Sequence, residues 1–487
     1  MSTSIHFAHN HHESGARART LRLGTFDQAI LRWFGYLTGL LCVGYFFFDR
    51  GFAHVHIPHA KLYLGEVVLL VGFFAIASGT GWLMRAVRLD SVVGILILFM
   101  AYCALRTFPQ FASFGVTTTV RDASLWYYGF FTIFVLAALL ATGGLIDRLL
   151  DGFNKVVPCL TLWLPIALLL ERSNFHSPKF RFSNVPLLSH KPGNICVAAA
   201  ICLLWLWLVP AVRRSGWIRS GLVWINLFTI LMGLTQTRGG GIAALVGVGG
   251  GVVFLGKRRL RVLMTAFVTA VIVLLVATTF NLSYHTKHRT ISSSQLIQNL
   301  SSISGGQSTN QQLAGTVAFR TSLWSGILSK EVSTSHLVAG FGFGPDLASI
   351  GGLAPKPHQV NILELRSAHN SLLDILARTG IVGSALFIWM FASWWVRLIR
   401  SRRKAGLAKD EVAGGVISVC LLGNLAILIN SFFDPTLESP QVDIIFFVLF
   451  AVGIFLSRRI LNKESIAAEP VQHSGETPIR LRPIQPL

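Results

Sequence analysis

Three side chains in this sequence are of types that act on phosphates and on hydroxyl protons: Arg238 in GLTQTRGGG, Arg320 in FRTSLW and His369 in AHNSLLD. A guanidinium is planar and always charged, and it can grip phosphate oxygens with two parallel N–H bonds. An imidazole exchanges a proton near neutral pH. Two such cations, a helix N-terminus and a titratable base would together suit a substrate with a pyrophosphate and a hydroxyl that must lose a proton. Each residue also has a plainer reading. Arg238 could snorkel to an interface, Arg320 could stack on Trp324 one helical turn away, and His369 could sit at headgroup level without chemistry.

Local elements must place these groups. Ser371 and Asp374 have capping-box spacing, which starts a helix at about Ser371 and leaves His369 and Asn370 directly before it. The first four N–H groups of such a helix lack intrahelical partners and its dipole end is positive, a natural anion site. Gly239, Gly240 and Gly241 follow Arg238, where the backbone can turn sharply and admit a ligand closely. Gly247 and Gly251 have the small-xxx-small spacing of close helix packing. GFGFG at 340–344 lacks a dinucleotide fingerprint's context and reads as a turn. His54, His56 and His59 could hold a metal, but Pro58 interrupts any helix and no carboxylate is near, so no metal site is expected.

The surrounding chain is a polytopic membrane protein. Of its 487 residues 52% are hydrophobic and 13% charged, against about 25% charged in soluble domains, and its mean hydropathy is +0.60. Apolar stretches near the roughly 20 residues that cross a bilayer recur along it. About twelve begin near Ala29, Leu62, Ser91, Asp122, Lys155, Asn194, Trp217, Gly240, Leu260, Ser371, Ala413 and Gln441. The net charge of +21 alternates with these spans rather than forming a nucleic-acid surface: Arg17, Arg19 and Arg22, then Arg85 and Arg88, Arg213 to Arg219, Lys257 to Arg261, Arg397 to Lys404, and Arg458 with Arg459. The positive-inside rule puts all of these, and both termini, in the cytoplasm. Arg238 then lies at an outer span end, against the trend, and needs another reason. The six cysteines fall in apolar spans without CxxC spacing, so neither disulfides nor a thiolate metal site is indicated.

The expected organisation is a cytoplasmic tail (1–28), nine transmembrane helices (29–280), a large periplasmic loop (281–368), three further helices (369–460) and a disordered cytoplasmic tail (461–487). The loop is Ser/Gln-rich at first and changes at Phe319 to an amphipathic helical beginning, with Leu323, Ile327 and Leu328 near helical spacing. A flippase or transporter would need polar residues lining a path through the bilayer middle; Glu66 and Arg106 are the best placed, and both lie near span ends.

TQTRGGG at a span end, FRTSLW and GFGFGP in a long outer loop, and AHNSLLDILARTGIVG entering the next span together resemble the O-antigen ligase family. The resemblance covers roughly residues 230–395. It implies an all-α, GT-C-like glycosyltransferase of the bacterial inner membrane, moving a glycan at the periplasmic face from undecaprenyl diphosphate to an acceptor hydroxyl. It implies no metal and no cofactor, and the placing of the basic residues between spans already argues against nucleic acid. Arg238 and Arg320 become diphosphate binders and His369 the residue that activates the acceptor, supported by Asn370 and Trp324. Ligase and polymerase differ in acceptor, a lipid A core sugar against a second lipid-linked glycan as in O-antigen or exopolysaccharide polymerases, and these motifs do not separate them.

Overall fold

The computed structural model describes residues 25–57, 62–77, 90–172, 177–179, 185–210, 216–255, 284–285, 290–291, 311–352 and 366–467. The N-terminal HNHH, Pro58, His59, the apolar stretch near Leu260, the Ser/Gln-rich segment over 292–310 and the tail beyond 467 lie outside them. The principal helices are α1 (Thr25–Ala53), α2 (Leu64–Ala77), α3 (Ser91–Thr107), α4 (Phe130–Ala141), α5 (Leu145–Arg172), α6 (Pro192–Leu208), α7 (Gly216–Leu234), α8 (Arg238–Phe254), α9 (Gln311–Ser333), α10 (Ser371–Leu407), α11 (Glu411–Phe433) and α12 (Pro440–Ala467). Two short hairpins pair His56–Ile57 with Leu62–Tyr63 and Tyr284–His285 with Thr290–Ile291.

Among the described residues, eight helices are long and apolar enough to span a membrane, and α2, α6 and α8 are shorter apolar ones. The molecule is thus a helical, polytopic membrane protein. The helix expected near Lys155 begins ten residues earlier, at Leu145. Its first turns carry Asp147, Arg148, Asp151 and Lys155, with Lys155 paired to Asp151 one turn back at 2.7 Å; such pairs extend a helix into water before its apolar part begins.

α6 and α11 form the centre of the bundle. Nearly every residue of α6 from Ile195 to Trp205 is buried, and so is the run Ala413–Asn424 of α11. A helix apolar and buried all round is an interior helix. α8 packs on this pair through glycines: an added Cβ at Gly247 would lie 3.2 Å from Ala426, and one at Gly251 would lie 2.4 Å from Leu204. The small-residue spacing therefore serves close packing, as expected from it.

At one end of the bundle, Asp90 joins three helices. It caps α3 by accepting from Val92 and Val93 N–H groups, and its other oxygen accepts from Arg397 of α10 and from Arg458 of α12 at 2.8 Å. Glu66 and Arg106 lie at the ends of α2 and α3, where Glu66 accepts from Tyr127 and Arg106 donates to the Gly340 carbonyl. Neither lines a path through the middle.

Candidate functional site

α10 begins at Ser371, the residue expected, but its cap is Asn370. The Asn370 Oδ1 accepts from Leu372 N–H at 3.0 Å and Leu373 N–H at 3.3 Å. Asparagine caps as well as serine does, and here it displaces Ser371 from that role. Ser371 Oγ instead accepts from Leu437 N–H. Asp374 does not reach back to the cap; its Oδ1 accepts from Ala368 N–H at 2.7 Å. The capping-box expectation is corrected: one residue caps, and the other two tie the preceding loop and a neighbouring turn to the helix.

His369 lies between these ties with φ = 54°, a left-handed conformation that non-glycine residues seldom adopt. Asn370 on one side and the Asp374 bond to Ala368 on the other hold it there. Trp324 of α9 adds a third restraint, donating from Nε1 to the Ala368 carbonyl at 2.8 Å while its ring meets Phe432 edge-on. The Trp324 indole thus braces the histidine loop, a role the stacking expectation did not include. Leu323, Ile327 and Leu347 form a small core with Ala368, Leu373 and Ala377 that seats α9 against the start of α10.

His369 is half-buried, and burial lowers its pKa; Asp434 and Asp374 oppose this, while Arg320 and Lys191 add to it. A lowered pKa leaves the imidazole neutral at pH 7, the form that can accept a proton. Burial also lowers the Arg320 pKa, with Asp434 opposing. The structure therefore gathers Arg320, His369, Lys191 and Asp434 at one end of the bundle. Lys191 and Asp434 form an ion pair at 2.8 Å with both side chains partly exposed. Sequence reasoning missed both, because each stands alone at a span end and their juxtaposition is purely tertiary.

Lys191 is placed by Asp49, where α1 breaks (φ 43°). Asp49 Oδ2 accepts from Lys191 N–H at 2.7 Å and Oδ1 from the Asn194 amide at 2.9 Å. Arg238 opens α8, capped by Thr237 Oγ1. The three glycines after it are helical rather than turned, which corrects the expectation of a ligand-admitting bend. They let the start of α8 lie flush on its neighbours: an added Cβ at Gly239 would be 2.3 Å from Phe433, and one at Gly240 would be 2.3 Å from the Gly193 Cα. Phe433 directly precedes Asp434 and Gly193 is two residues from Lys191, so the glycines bring the first turn of α8, headed by Arg238, against the chain segments that carry the ion pair.

The GFGFG run does more than turn. α10 is broken at Gly380 (φ 66°, ψ −167°), which frees backbone groups on both sides. Phe341 N–H and Gly342 N–H donate to the Ala377 and Arg378 carbonyls at 2.7 and 2.9 Å, and Ile381 N–H donates to the Leu337 carbonyl at 2.9 Å. An added Cβ on Gly340 would strike the Arg378 backbone at 2.4 Å, so only glycine fits. The loop is stitched into the break and locks the first two turns of α10 as a separate rigid piece.

Comparison with known families falls on this same stretch. Residues 221–388 match the family model described as O-antigen ligase. The resemblance read from the four motifs holds. The matched segment contains Arg238, Arg320, Trp324, His369 and Asn370, and it stops short of Asp434; Lys191 precedes it. No curated protein matches the chain. The O-antigen ligase match and the membrane helices together support a ligase- or polymerase-like function in a multi-pass inner-membrane protein.

Proposed function

We propose that the chain is a glycosyltransferase acting at the periplasmic face of the inner membrane, moving a glycan from undecaprenyl diphosphate to an acceptor hydroxyl in the manner of an O-antigen ligase. The observation that carries this reading is the left-handed, half-buried His369 on the threshold of α10, inside the matched segment with Arg320, and the Lys191–Asp434 pair beside them from outside it. Twelve spans in a GT-C-like arrangement are part of the same proposal, the ninth falling near Leu260.

In the proposed reaction the acceptor oxygen forms a bond to the anomeric carbon while the bond from that carbon to the diphosphate oxygen breaks. The acceptor proton passes to the neutral His369 ring. Undecaprenyl diphosphate leaves as an anion whose added charge Arg238 and Arg320 stabilise, so the chemistry is carried by side chains and helix-end N–H groups without a divalent ion. Asn370 and Trp324 hold the histidine loop still while this happens. With a lipid A core sugar as acceptor the enzyme is a ligase; with a second lipid-linked glycan it is a polymerase.

Purified protein with a lipid-linked glycan donor and a lipid A core acceptor tests the reading. Transfer is expected in excess EDTA. Arg238→Lys and Arg320→Lys keep the charge but lose the two-pronged grip, so donor affinity and rate should both fall, by about tenfold each. Transfer that appears only with added Mg²⁺ or Mn²⁺, or lysine variants with unchanged donor binding, would overturn the assignment. Cysteines placed at Ser333 and Lys409 of a cysteine-free variant should label from opposite sides of sealed cells, Ser333 from the periplasm.

A further inference from the structure

The bundle contains a cavity of about 370 Å³ between α1, α4, α5, α6, α11 and α12. On α1 its wall runs from Gly35 to Phe46, three residues short of Asp49, and on α11 it takes in Val416 and Cys420, eighteen and fourteen residues before Asp434, so it runs along the helices from the Arg148 end toward the candidate site. The charge pattern puts its Arg148 end, between α4 and α5, on the cytoplasmic side. The volume lies in the range of about 300–1,000 Å³ that small-molecule sites occupy, and no step of the proposed reaction uses it.

Its lining is graded. The chamber is apolar, walled by residues such as Leu139, Phe153, Val419 and Val448. Thr38 also lines it, and its Oγ1 is buried without a hydrogen-bond partner although the residue is 2% exposed. A buried hydroxyl normally finds a partner, so this one marks a place where a carbonyl oxygen would be welcome. Two residues earlier on α1 is Tyr36, whose hydroxyl accepts from Arg148 Nη1 at 3.0 Å, and the rest of the Arg148 guanidinium is exposed. Both residues belong to the lining.

An apolar chamber, then a buried hydroxyl donor, then an exposed guanidinium matches the order of groups along a phospholipid: acyl chain, ester carbonyl, phosphate. We infer that the cavity binds one anionic phospholipid of the cytoplasmic leaflet, its chain in the chamber, an ester carbonyl accepting from Thr38 and its phosphate on Arg148. A polyprenyl phosphate fills the chamber equally well but offers Thr38 no ester carbonyl. The inference rests on the membrane topology and is independent of glycosyl transfer.

Native mass spectrometry of the full chain in detergent, titrated with palmitoyl-oleoyl phosphatidylglycerol, the matching phosphatidylcholine, or undecaprenyl phosphate, reads the site directly. One phosphatidylglycerol should be retained in preference to the other two. Thr38→Val, which removes the hydroxyl and keeps the shape, should weaken it about fivefold. Arg148→Glu should weaken it by about tenfold or more while hardly changing phosphatidylcholine, and Val448→Trp should fill the chamber and abolish retention. Arg148 is exposed, so its variant will fold even if the tryptophan variant does not. No retained phospholipid on the unaltered chain, preferential retention of undecaprenyl phosphate, or an Arg148→Glu protein that holds phosphatidylglycerol as before would each overturn the proposal.

Discussion

Asp90 and Asp434 are acids at opposite ends of the bundle, and basic residues converge on both. Around Asp90 the arrangement is closed: one oxygen caps α3 and the other accepts from Arg397 and Arg458, with the carboxylate wholly buried. Around Asp434 it is open: the carboxylate is 30% exposed and paired to a partly exposed Lys191, with Arg320 and His369 facing the same charge. On the proposed reading the same residue types do two jobs. A saturated cluster fixes helices, whereas an unsaturated one keeps polar groups available to something that arrives later. Strained backbone occurs at both ends. α1 breaks at Asp49, α10 breaks at Gly380 and His369 is left-handed toward the Asp434 end, while Lys409 (φ 54°) is left-handed at the other end, just beyond α10; such departures are held only where surrounding structure over-determines them.

The largest expected effect is at the open end. His369→Ala should leave folding and donor binding nearly intact and lower the transfer rate by about 10²- to 10⁴-fold, the usual contribution of a general base. Because burial lowers the His369 pKa, the unaltered enzyme should be at full rate from the ordinary histidine range upward and lose activity as pH falls through that lowered value. A His369→Ala protein with the normal rate would reduce the histidine to a headgroup-level residue and erase the contrast between the two ends.

The closed end should respond in stability instead. Asp90→Ala leaves two arginines facing each other without their acid and removes a helix cap, and breaking a buried charge cluster costs about 3–5 kcal/mol. Thermal unfolding in detergent measures this. Loss of transfer in a fully stable Asp90→Ala protein would show that the two ends are not separable.

A smaller effect is expected at Glu331 on α9, which continues the buried stripe of Leu323 and Ile327. Both its oxygens are buried without a hydrogen-bond partner, and burial pushes its pKa up to about 7. A carboxyl with a raised folded pKa favours folding below its unfolded value, and that contribution is lost as pH rises from about 4.5 through about 7. Glu331→Gln should abolish this dependence and raise the melting temperature at pH 8 by about 1–3 °C, with little change at pH 5. Equal melting curves at both pH values would mean the carboxyl is not held neutral.

Much of this was legible in the sequence because hydropathy and charge are local and additive. The starts of most spans, the helix that begins at Ser371, the packing role of Gly247 and Gly251, and the candidate trio Arg238, Arg320 and His369 all follow from residue type and spacing. The sequence by itself determined that the chain is a membrane bundle and that its basic residues alternate with its spans; the roles of Arg238, Arg320 and His369 are proposed from their types. Only the tertiary structure decided what surrounds them. Asn370 rather than Ser371 caps α10, because Ser371 is drawn to the Leu437 N–H and Asp374 to the Ala368 N–H. The glycines after Arg238 are helical because Phe433 and Gly193 crowd them. GFGFG completes a broken helix because the break at Gly380 exposes carbonyls that need donors. Lys191 and Asp434 are 243 residues apart, and no local pattern can announce a pair that exists only because the ends of α6 and α11 come together around a buried core.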